Sequence, residues 1–130
     1  MNGEVPERQG ERSWSGASGP EVAQVVTVVD DEEAAVALAD AAVGCHLAAC
    51  AQVEGPVRSV YRWEGELRSD LEWRVVAKTT PGASRELVEL WGERHPYEVP
   101  EILVVAVTDG HRGYLDWVAG EVRPGAGGGV

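Results

Sequence analysis

Two segments of alternating residues constrain the fold more than any other feature of this sequence. In the first, Val57, Ser59, Tyr61 and Trp63 alternate with Arg58, Val60 and Arg62, and in the second, Leu71, Trp73, Val75 and Ala77 alternate with their neighbours. Successive side chains of a β-strand point to opposite faces, so both segments are typical of strands. The short sequence EGE, Glu64 to Glu66, predicts the turn between them. We therefore expect one long β-hairpin from Val57 to Lys78.

The hairpin also predicts association between chains. We expect Tyr61, Trp63 and Trp73 on one of its faces, and Val60 and Val76 on the other. A sheet with one face in solvent should be polar on that face. Because both faces carry apolar or aromatic side chains, we expect an oligomer in which strand edges pair between subunits.

A strand and a helix are predicted before the hairpin. The β-branched segment from Val22 to Val29 favours a strand that is covered on both faces. Asp30 is placed to cap the following helix, with Glu33 completing the capping pattern. Apolar residues then recur with helical spacing at Ala35, Leu38, Ala39, Ala42 and Val43. Gly44 is expected to end this helix, and the sequence LAACAQV from Leu47 begins the second strand.

A second helix and a last strand are predicted after the hairpin. Thr80 and Pro81 suit the N-cap and the first helical position. The apolar stripe of this helix consists of Leu87, Leu90 and Trp91. The segment from Glu101 to Gly110 favours a buried strand. A short closing helix is indicated by Tyr114, Trp117 and Val118.

This order of elements predicts an α+β fold, a ferredoxin-like βαββαβ sandwich with a long hairpin between its second and third strands and a short C-terminal helix. We expect residues 21–122 to form one domain, since a chain of this length has one core. Residues 1–20 are rich in Gly, Ser, Pro and Glu and are predicted to be a disordered leader. Residues 123–130 are predicted to be a flexible tail.

The charge of the chain argues against several classes of partner. Its formal net charge of -11 opposes binding to nucleic acid or to an anionic membrane, because such binding depends on Lys and Arg. No apolar run reaches the length of a membrane-spanning helix, and the first twenty residues lack the order of a signal peptide. We expect a cytoplasmic protein in which Cys45 and Cys50 are reduced.

Several motifs, in this order, resemble the CutA family, which is named for divalent cation tolerance. The matching segments are HLAACAQVEGPVRSVYRWEGEL (His46 to Leu67), VVAKTT (Val75 to Thr80), HPYEVPEILVVAVTDG (His95 to Gly110) and YLDW (Tyr114 to Trp117). The similarity runs from about Val22 to Val122. It implies a ferredoxin-like homotrimer, related in shape to the PII signalling proteins, with copper or another divalent metal ion as its ligand and no settled catalytic activity.

The segment HPYEVPE, His95 to Glu101, is the first candidate for a site. Pro96 and Pro100 restrict its path between a helix and a strand. Taken locally, its polar side chains could simply end the helix and face solvent. The resemblance implies instead that the loop lines a cleft between subunits. The candidates to bind a ligand in this cleft are Trp63, Lys78, Tyr97 and Glu101.

The resemblance also nominates Cys50 and His95 as metal ligands, since a thiolate and an imidazole suit Cu(I), Cu(II) or Zn(II). From the sequence, Cys50 among Ala and Leu fits a small buried residue equally well. Cys45, five residues earlier, forms no chelating pattern with it. Some family members carry a cysteine in the first strand where this chain has Thr27 to Asp30, so we expect a lower affinity for soft metals here.

Two functions are consistent with these features. The first is a homotrimer that binds divalent cations, copper foremost, in metal tolerance or homeostasis. The second is a PII-like signalling or scaffold trimer that binds a small metabolite or a partner's segment in its intersubunit cleft. We predict no enzymatic activity, because no nucleophile lies at a recognisable spacing from a base and no phosphate-binding glycine loop follows a strand.

Overall fold

The computed structural model describes residues 19–124 and folds them into four strands and three helices. In chain order these are β1 (Val22–Val29), α1 (Glu32–Gly44), β2 (Cys50–Trp63), β3 (Glu66–Thr79), α2 (Pro81–Arg94), β4 (Ile102–Val107) and α3 (Arg112–Glu121). The predicted order of elements is confirmed. Residues 1–18 and 125–130, most of the predicted leader and tail, lie outside the described range. No helix within residues 19–124 is long and apolar enough to cross a membrane.

The four strands form one antiparallel sheet in the order β2-β3-β1-β4. Val25 of β1 lies opposite Ala77 of β3 on one side and opposite Val104 of β4 on the other. Ala77 in turn lies opposite Ala51 of β2. This strand order and the helices between the strands give the predicted α+β, ferredoxin-like sandwich.

The core lies between the sheet and the helices α1 and α2. Val25 and Val29 of β1 have no exposed surface, and the same holds for Leu87 and Trp91 of α2. The indole Nε1 of Trp91 donates a hydrogen bond of 3.0 Å to the carbonyl oxygen of Leu38, which joins the two helices. Burial of each such large side chain stabilises the fold by roughly 1.5–3 kcal/mol.

The two long helices begin in different ways. Thr80 caps α2 as predicted, since its Oγ1 accepts a hydrogen bond from the amide of Ala83, and Pro81 occupies the first turn. The predicted cap of α1 is wrong by one residue. Asp31 is the N-cap residue, because Asp30 forms the bend that leaves β1. The Asp31 side chain makes no capping hydrogen bond.

The hairpin is longer than predicted and its turn is shorter. β2 and β3 each contain 14 residues, so the paired strands begin at Cys50 and end at Thr79. The turn has two residues, Glu64 and Gly65, with φ angles of 51° and 80°. These left-handed conformations match the twist of a two-residue hairpin turn. Glu66, predicted to belong to the turn, already pairs with Trp63.

A β-bulge interrupts the hairpin. Glu54 lies opposite Arg74 and Val57 lies opposite Glu72, so that two residues of β2, Gly55 and Pro56, face one residue of β3. A Cβ atom at Gly55 would lie 2.6 Å from the Trp73 indole, which only glycine avoids.

The bulge changes which side chains share a face. Beyond it, Tyr61 and Trp63 lie opposite even-numbered residues of β3 and therefore share a face with Val76. Trp73 lies on the other face, together with Val60. The predicted grouping of Tyr61 and Trp63 with Trp73 is wrong, because the bulge shifts the pairing by one residue. Apolar and aromatic side chains still occur on both faces.

β4 is less buried in the single chain than its sequence predicts. Leu103, Val104 and Val105 expose 54%, 50% and 44% of their surface. The reason is that β4 is an edge strand, hydrogen-bonded to β1 alone. Such an apolar edge is the type that proteins normally cover.

Candidate ligand-binding cavity

The hairpin and the loop before β4 enclose an open cavity of about 840 Å³. β1 ends at Val29, opposite Trp73, so the remainder of the hairpin, residues 57–71, continues without a third strand. We call residues 57–71 the hairpin arm. The loop His95–Glu101 crosses the same end of the sheet. The cavity is lined by Val28, Asp30, Ser59, Val60, Tyr61, Trp63, Arg68, Asp70, Leu71, Glu72, Tyr97, Glu98, Val99 and Glu101.

Glu72 is the most buried acidic residue of the cavity, with 7% of its surface exposed. Its Oε2 accepts a hydrogen bond of 2.7 Å from the Tyr97 hydroxyl, the one bond that this side chain accepts from the described residues. Within residues 19–124 no fully buried side-chain oxygen or nitrogen lacks a partner. The second oxygen of Glu72, Oε1, is therefore not fully buried, and Glu72 lines the cavity. Burial, followed by the bond to Glu72, raises the pKa of Tyr97, so this phenol stays protonated at neutral pH.

Tyr61 and Asp70 form a second phenol–carboxylate pair on the hairpin arm. The Tyr61 hydroxyl donates a hydrogen bond to Oδ2 of Asp70, and this bond raises the pKa of Tyr61. Asp70 and Glu72 are two residues apart on β3 and point to the same face. The two pairs therefore lie side by side along one wall of the cavity.

The cavity carries a strong excess of negative charge. Its five carboxylates are those of Asp30, Asp70, Glu72, Glu98 and Glu101, against a single guanidinium, that of Arg68. Arg68 also lies 3.9 Å from the carboxylate of Glu66, outside the cavity. Such a concentration of one sign of charge in a concave site attracts cations.

His95 holds the loop to β1. The ring is 9% exposed, and its Nε2 lies 3.0 Å from both the Thr27 hydroxyl and the Val28 carbonyl oxygen. Its Nδ1 accepts a hydrogen bond of 3.1 Å from the Tyr97 amide, so the ring proton is on Nε2. The Thr27 hydroxyl donates its own proton to the Glu101 carbonyl oxygen at 2.7 Å. Burial lowers the pKa of His95, which favours this neutral, fully bonded ring.

Of the four residues predicted to bind a ligand, three line the cavity: Trp63, Tyr97 and Glu101. Lys78 does not. It lies opposite Gln24, near the start of β1, and its Nζ donates a hydrogen bond of 3.2 Å to the side chain of Gln52.

Cys50 lies beside Lys78, at the end of the sheet away from the cavity. Its Sγ is 3.4 Å from the hydroxyl of Tyr114 on α3. This hydrogen bond raises the pKa of Tyr114 to about 12. Cys45 is an exposed thiol directly after α1.

The fold does not bring Cys50 and His95 together in one chain. Cys50 is in register with Lys78 and Gln24, whereas His95 is bonded to Thr27 and to the residue after it. At 3.4 Å per residue the two sites are separated by about 10 Å along the sheet, in addition to the strand spacings between them. No group of three or more His, Cys, Asp or Glu residues suited to a metal ion occurs within residues 19–124. The described part of a single chain thus offers no assembled site for copper.

A family model described as CutA1 divalent ion tolerance protein matches residues 23–121. The chain belongs to this family.

Curated relatives share the family assignment. The divalent-cation tolerance protein CutA of Thermus thermophilus is 42% identical over 94 residues, which cover 72% of this chain and 91% of that protein. The protein of the same name from Citrobacter koseri is 38% identical over 104 residues, covering 80% of this chain and 90% of the relative. These names describe cation tolerance rather than a catalysed reaction.

Solved CutA1 structures have the same fold. The divalent cation tolerance protein of Thermus thermophilus matches with a TM-score of 0.76 at 38% identity, over 78% of this chain and 99% of that one. CutA1 from Oryza sativa matches with a TM-score of 0.77 at 30% identity, over 81% and 96% of the two chains. The ferredoxin-like architecture is thus shared with experimentally determined members of the CutA1 family.

Sequence reasoning missed seven polar residues of the cavity in this CutA1 family member. They are Asp30, Ser59, Tyr61, Arg68, Asp70, Glu72 and Glu98. One signal was present, because two acidic residues at positions i and i+2 of a strand must share a face. The bulge, which places Tyr61 on that face, and the loop that buries Glu72 leave no such signal in the local sequence.

Proposed function

We propose that the protein acts in divalent-cation tolerance as a cytoplasmic homotrimer that binds copper or another divalent ion. The match of residues 23–121 to the CutA1 divalent ion tolerance family carries this proposal. The formal net charge of -11 would raise the local concentration of cations around the whole assembly. The names of the relatives agree with a role in cation tolerance.

Exposed apolar side chains support the homotrimer. Leu103 on β4 is 54% exposed, and on the hairpin Val60 and Leu67 are 62% and 71% exposed. Contact between copies would remove these side chains from water and cover the free edge of β4. The number of subunits, three, comes from the family resemblance.

Light scattering tests this assembly. The mass in solution should be three times the 13.9 kDa of the chain. Leu103→Glu should dissociate the assembly, because a carboxylate would be buried between subunits. Val36→Glu is the matched control, since Val36 is an apolar residue of α1 with 42% exposure, away from the sheet edge. A monomeric unmodified chain would refute the assembly.

Cys50 and His95 remain the proposed metal ligands, but they differ in how readily each side chain could bind an ion. Cys50 is partly exposed, and the Tyr114 hydroxyl is its one side-chain partner in the described chain. It is open to a soft ion whose other ligands come from a neighbouring subunit. His95 would first have to release the Val28 carbonyl or the Tyr97 amide. We therefore place Cys50 ahead of His95.

Calorimetric titration of the reduced, metal-free protein with Cu(I), Cu(II) and Zn(II) tests metal capture. Cys50→Ser should weaken Cu(I) binding by at least about tenfold. Cys45→Ser is the matched control, because Cys45 is an exposed thiol only five residues away, and it should bind as the parent does. Equal affinity in all three proteins would show that Cys50 is not a ligand. Weak binding that fades with added salt would assign the ions to the acidic surface alone.

A second candidate function is a PII-like signalling or scaffold trimer that binds a small molecule or a partner's segment in this cavity. It is favoured by the rings of Tyr61, Trp63 and Tyr97 on the cavity wall, which a metal ion does not require. The volume of about 840 Å³ is also suited to a small organic ligand. If this candidate is correct, Tyr97→Ala should weaken binding of the small molecule or segment while metal binding stays unchanged.

A further inference from the structure

We propose that the cavity binds an aliphatic diamine, with one ammonium group at Glu72 and the other at Asp70. This inference rests on the second candidate function above, a cavity that takes a small molecule, and it names the chemical class of that molecule.

The first support is the free oxygen of Glu72. This residue is 7% exposed, and from the described chain it accepts only the Tyr97 hydroxyl, on Oε2. Oε1 keeps some exposed surface, since no fully buried polar side-chain atom of residues 19–124 is without a partner, and Glu72 lines the cavity. A largely buried carboxylate that keeps one oxygen open can accept strong hydrogen bonds there from a cation. A primary ammonium group carries three such donors.

The second support is the spacing of Glu72 and Asp70. They are two residues apart on β3 and point to the same face. Their Cα atoms are therefore about 7 Å apart at the rise of an antiparallel strand. An extended chain of four carbons between two nitrogens has a comparable length. One diamine can thus place an ammonium group at each carboxylate.

Aromatic side chains complete the site. The Tyr97 hydroxyl donates to one oxygen of Glu72, and the Tyr61 hydroxyl donates to one oxygen of Asp70. These bonds orient both carboxylates. The rings and the half-exposed indole of Trp63 offer apolar surface to the methylene chain and π-faces to the ammonium groups. The cavity therefore matches a ligand that is apolar in the middle and cationic at both ends.

The same features disfavour a bare metal ion as the occupant of this cavity. A divalent ion needs several oxygen, nitrogen or sulfur donors converging on one point. Within residues 19–124 no three His, Cys, Asp or Glu side chains converge in this way. An ammonium group needs only one carboxylate and an apolar wall, and the excess of five carboxylates over one guanidinium favours a dication over a monocation.

Calorimetric titration of the full-length, assembled protein at physiological salt tests the proposal. The probes are 1,4-diaminobutane, 1-aminobutane and magnesium chloride. We expect saturable binding of one 1,4-diaminobutane per chain, at least about tenfold weaker binding of 1-aminobutane, and no competition from Mg²⁺. Glu72→Gln and Asp70→Asn should each weaken diamine binding by at least about tenfold. Glu89→Gln on α2, an exposed acidic residue outside the cavity, is the control and should bind as the parent does.

Absence of saturable binding, equal affinity for the two amines, or unchanged affinity in Glu72→Gln would each overturn the diamine assignment. Glu72→Gln retains an acceptor for Tyr97, and thermal unfolding of the variant verifies that it is folded. Light scattering and Cu(I) titration on the same preparations distinguish failure of the diamine inference from failure of the proposed function. A trimer that binds Cu(I) but no diamine overturns this inference alone, whereas a monomer that binds neither overturns the proposed function as well.

Discussion

Replacing His95 by Ala should destabilise the protein whether or not metal is present. The imidazole of the parent donates to the Val28 carbonyl at 3.0 Å and accepts from the Tyr97 amide at 3.1 Å. The variant loses both bonds and leaves their partners unsatisfied in a buried region, at about 1–3 kcal/mol for each group that water does not reach. We expect a total loss of about 2–4 kcal/mol in the free energy of unfolding.

The same substitution should change how stability depends on pH. Burial lowers the pKa of folded His95 below the unfolded value of 6.5. Below pH 6.5 the unfolded chain takes up a proton that the folded chain does not, so the contribution of His95 is complete above 6.5 and is lost as pH falls. The loss is at most about 1.4 kcal/mol per pH unit, down to the folded pKa. The difference in stability between parent and variant should therefore shrink between about pH 7.5 and 5.5.

Urea denaturation at pH 7.5, 6.5 and 5.5, followed by tryptophan fluorescence at one protein concentration, measures both effects. His111→Ala is the control, since this exposed imidazole accepts one bond of 3.3 Å from the Tyr114 amide. Its effect should be below about 1 kcal/mol. A parent–variant difference that is constant or grows as the pH falls would refute the argument. A growing difference would mean that the folded protein favours the charged form of His95, and a constant one that folding leaves the pKa of His95 unchanged.

Three further substitutions test the fold by urea denaturation. Gly55→Ala should cost about 1–3 kcal/mol, because the new Cβ would lie 2.6 Å from the Trp73 indole, and near-UV circular dichroism should report the displaced ring. Trp91→Phe should cost about 1–2 kcal/mol, since the bond from Nε1 to the Leu38 carbonyl is lost and a small void remains. Thr80→Ala should cost about 1 kcal/mol through loss of the cap of α2. An unchanged midpoint in any of them would contradict the contact assigned to that residue.

The sequence by itself was sufficient to predict the order of the helices and strands and the type of each. Side-chain periodicity and caps are local properties, so the hairpin and the start of α2 at Thr80 and Pro81 could be predicted. The motif HPYEVPE also directed attention to the loop that lines the cavity, and Trp63, Tyr97 and Glu101 do meet there. Family membership follows from the same motifs and is confirmed over residues 23–121.

The tertiary structure decided the chemical character of the site. The bulge at Gly55 and Pro56 reverses the faces of the hairpin arm, and the loop buries Glu72 beneath Tyr97. Packing of the loop also turns His95 towards β1, where its Nε2 bonds to Thr27 and Val28 while its Nδ1 accepts from the Tyr97 amide. These outcomes depend on contacts between residues far apart in the chain, which local periodicity does not encode. The sequence thus determined which groups are available, and the packing of the loop against the sheet determined which of them can meet a ligand.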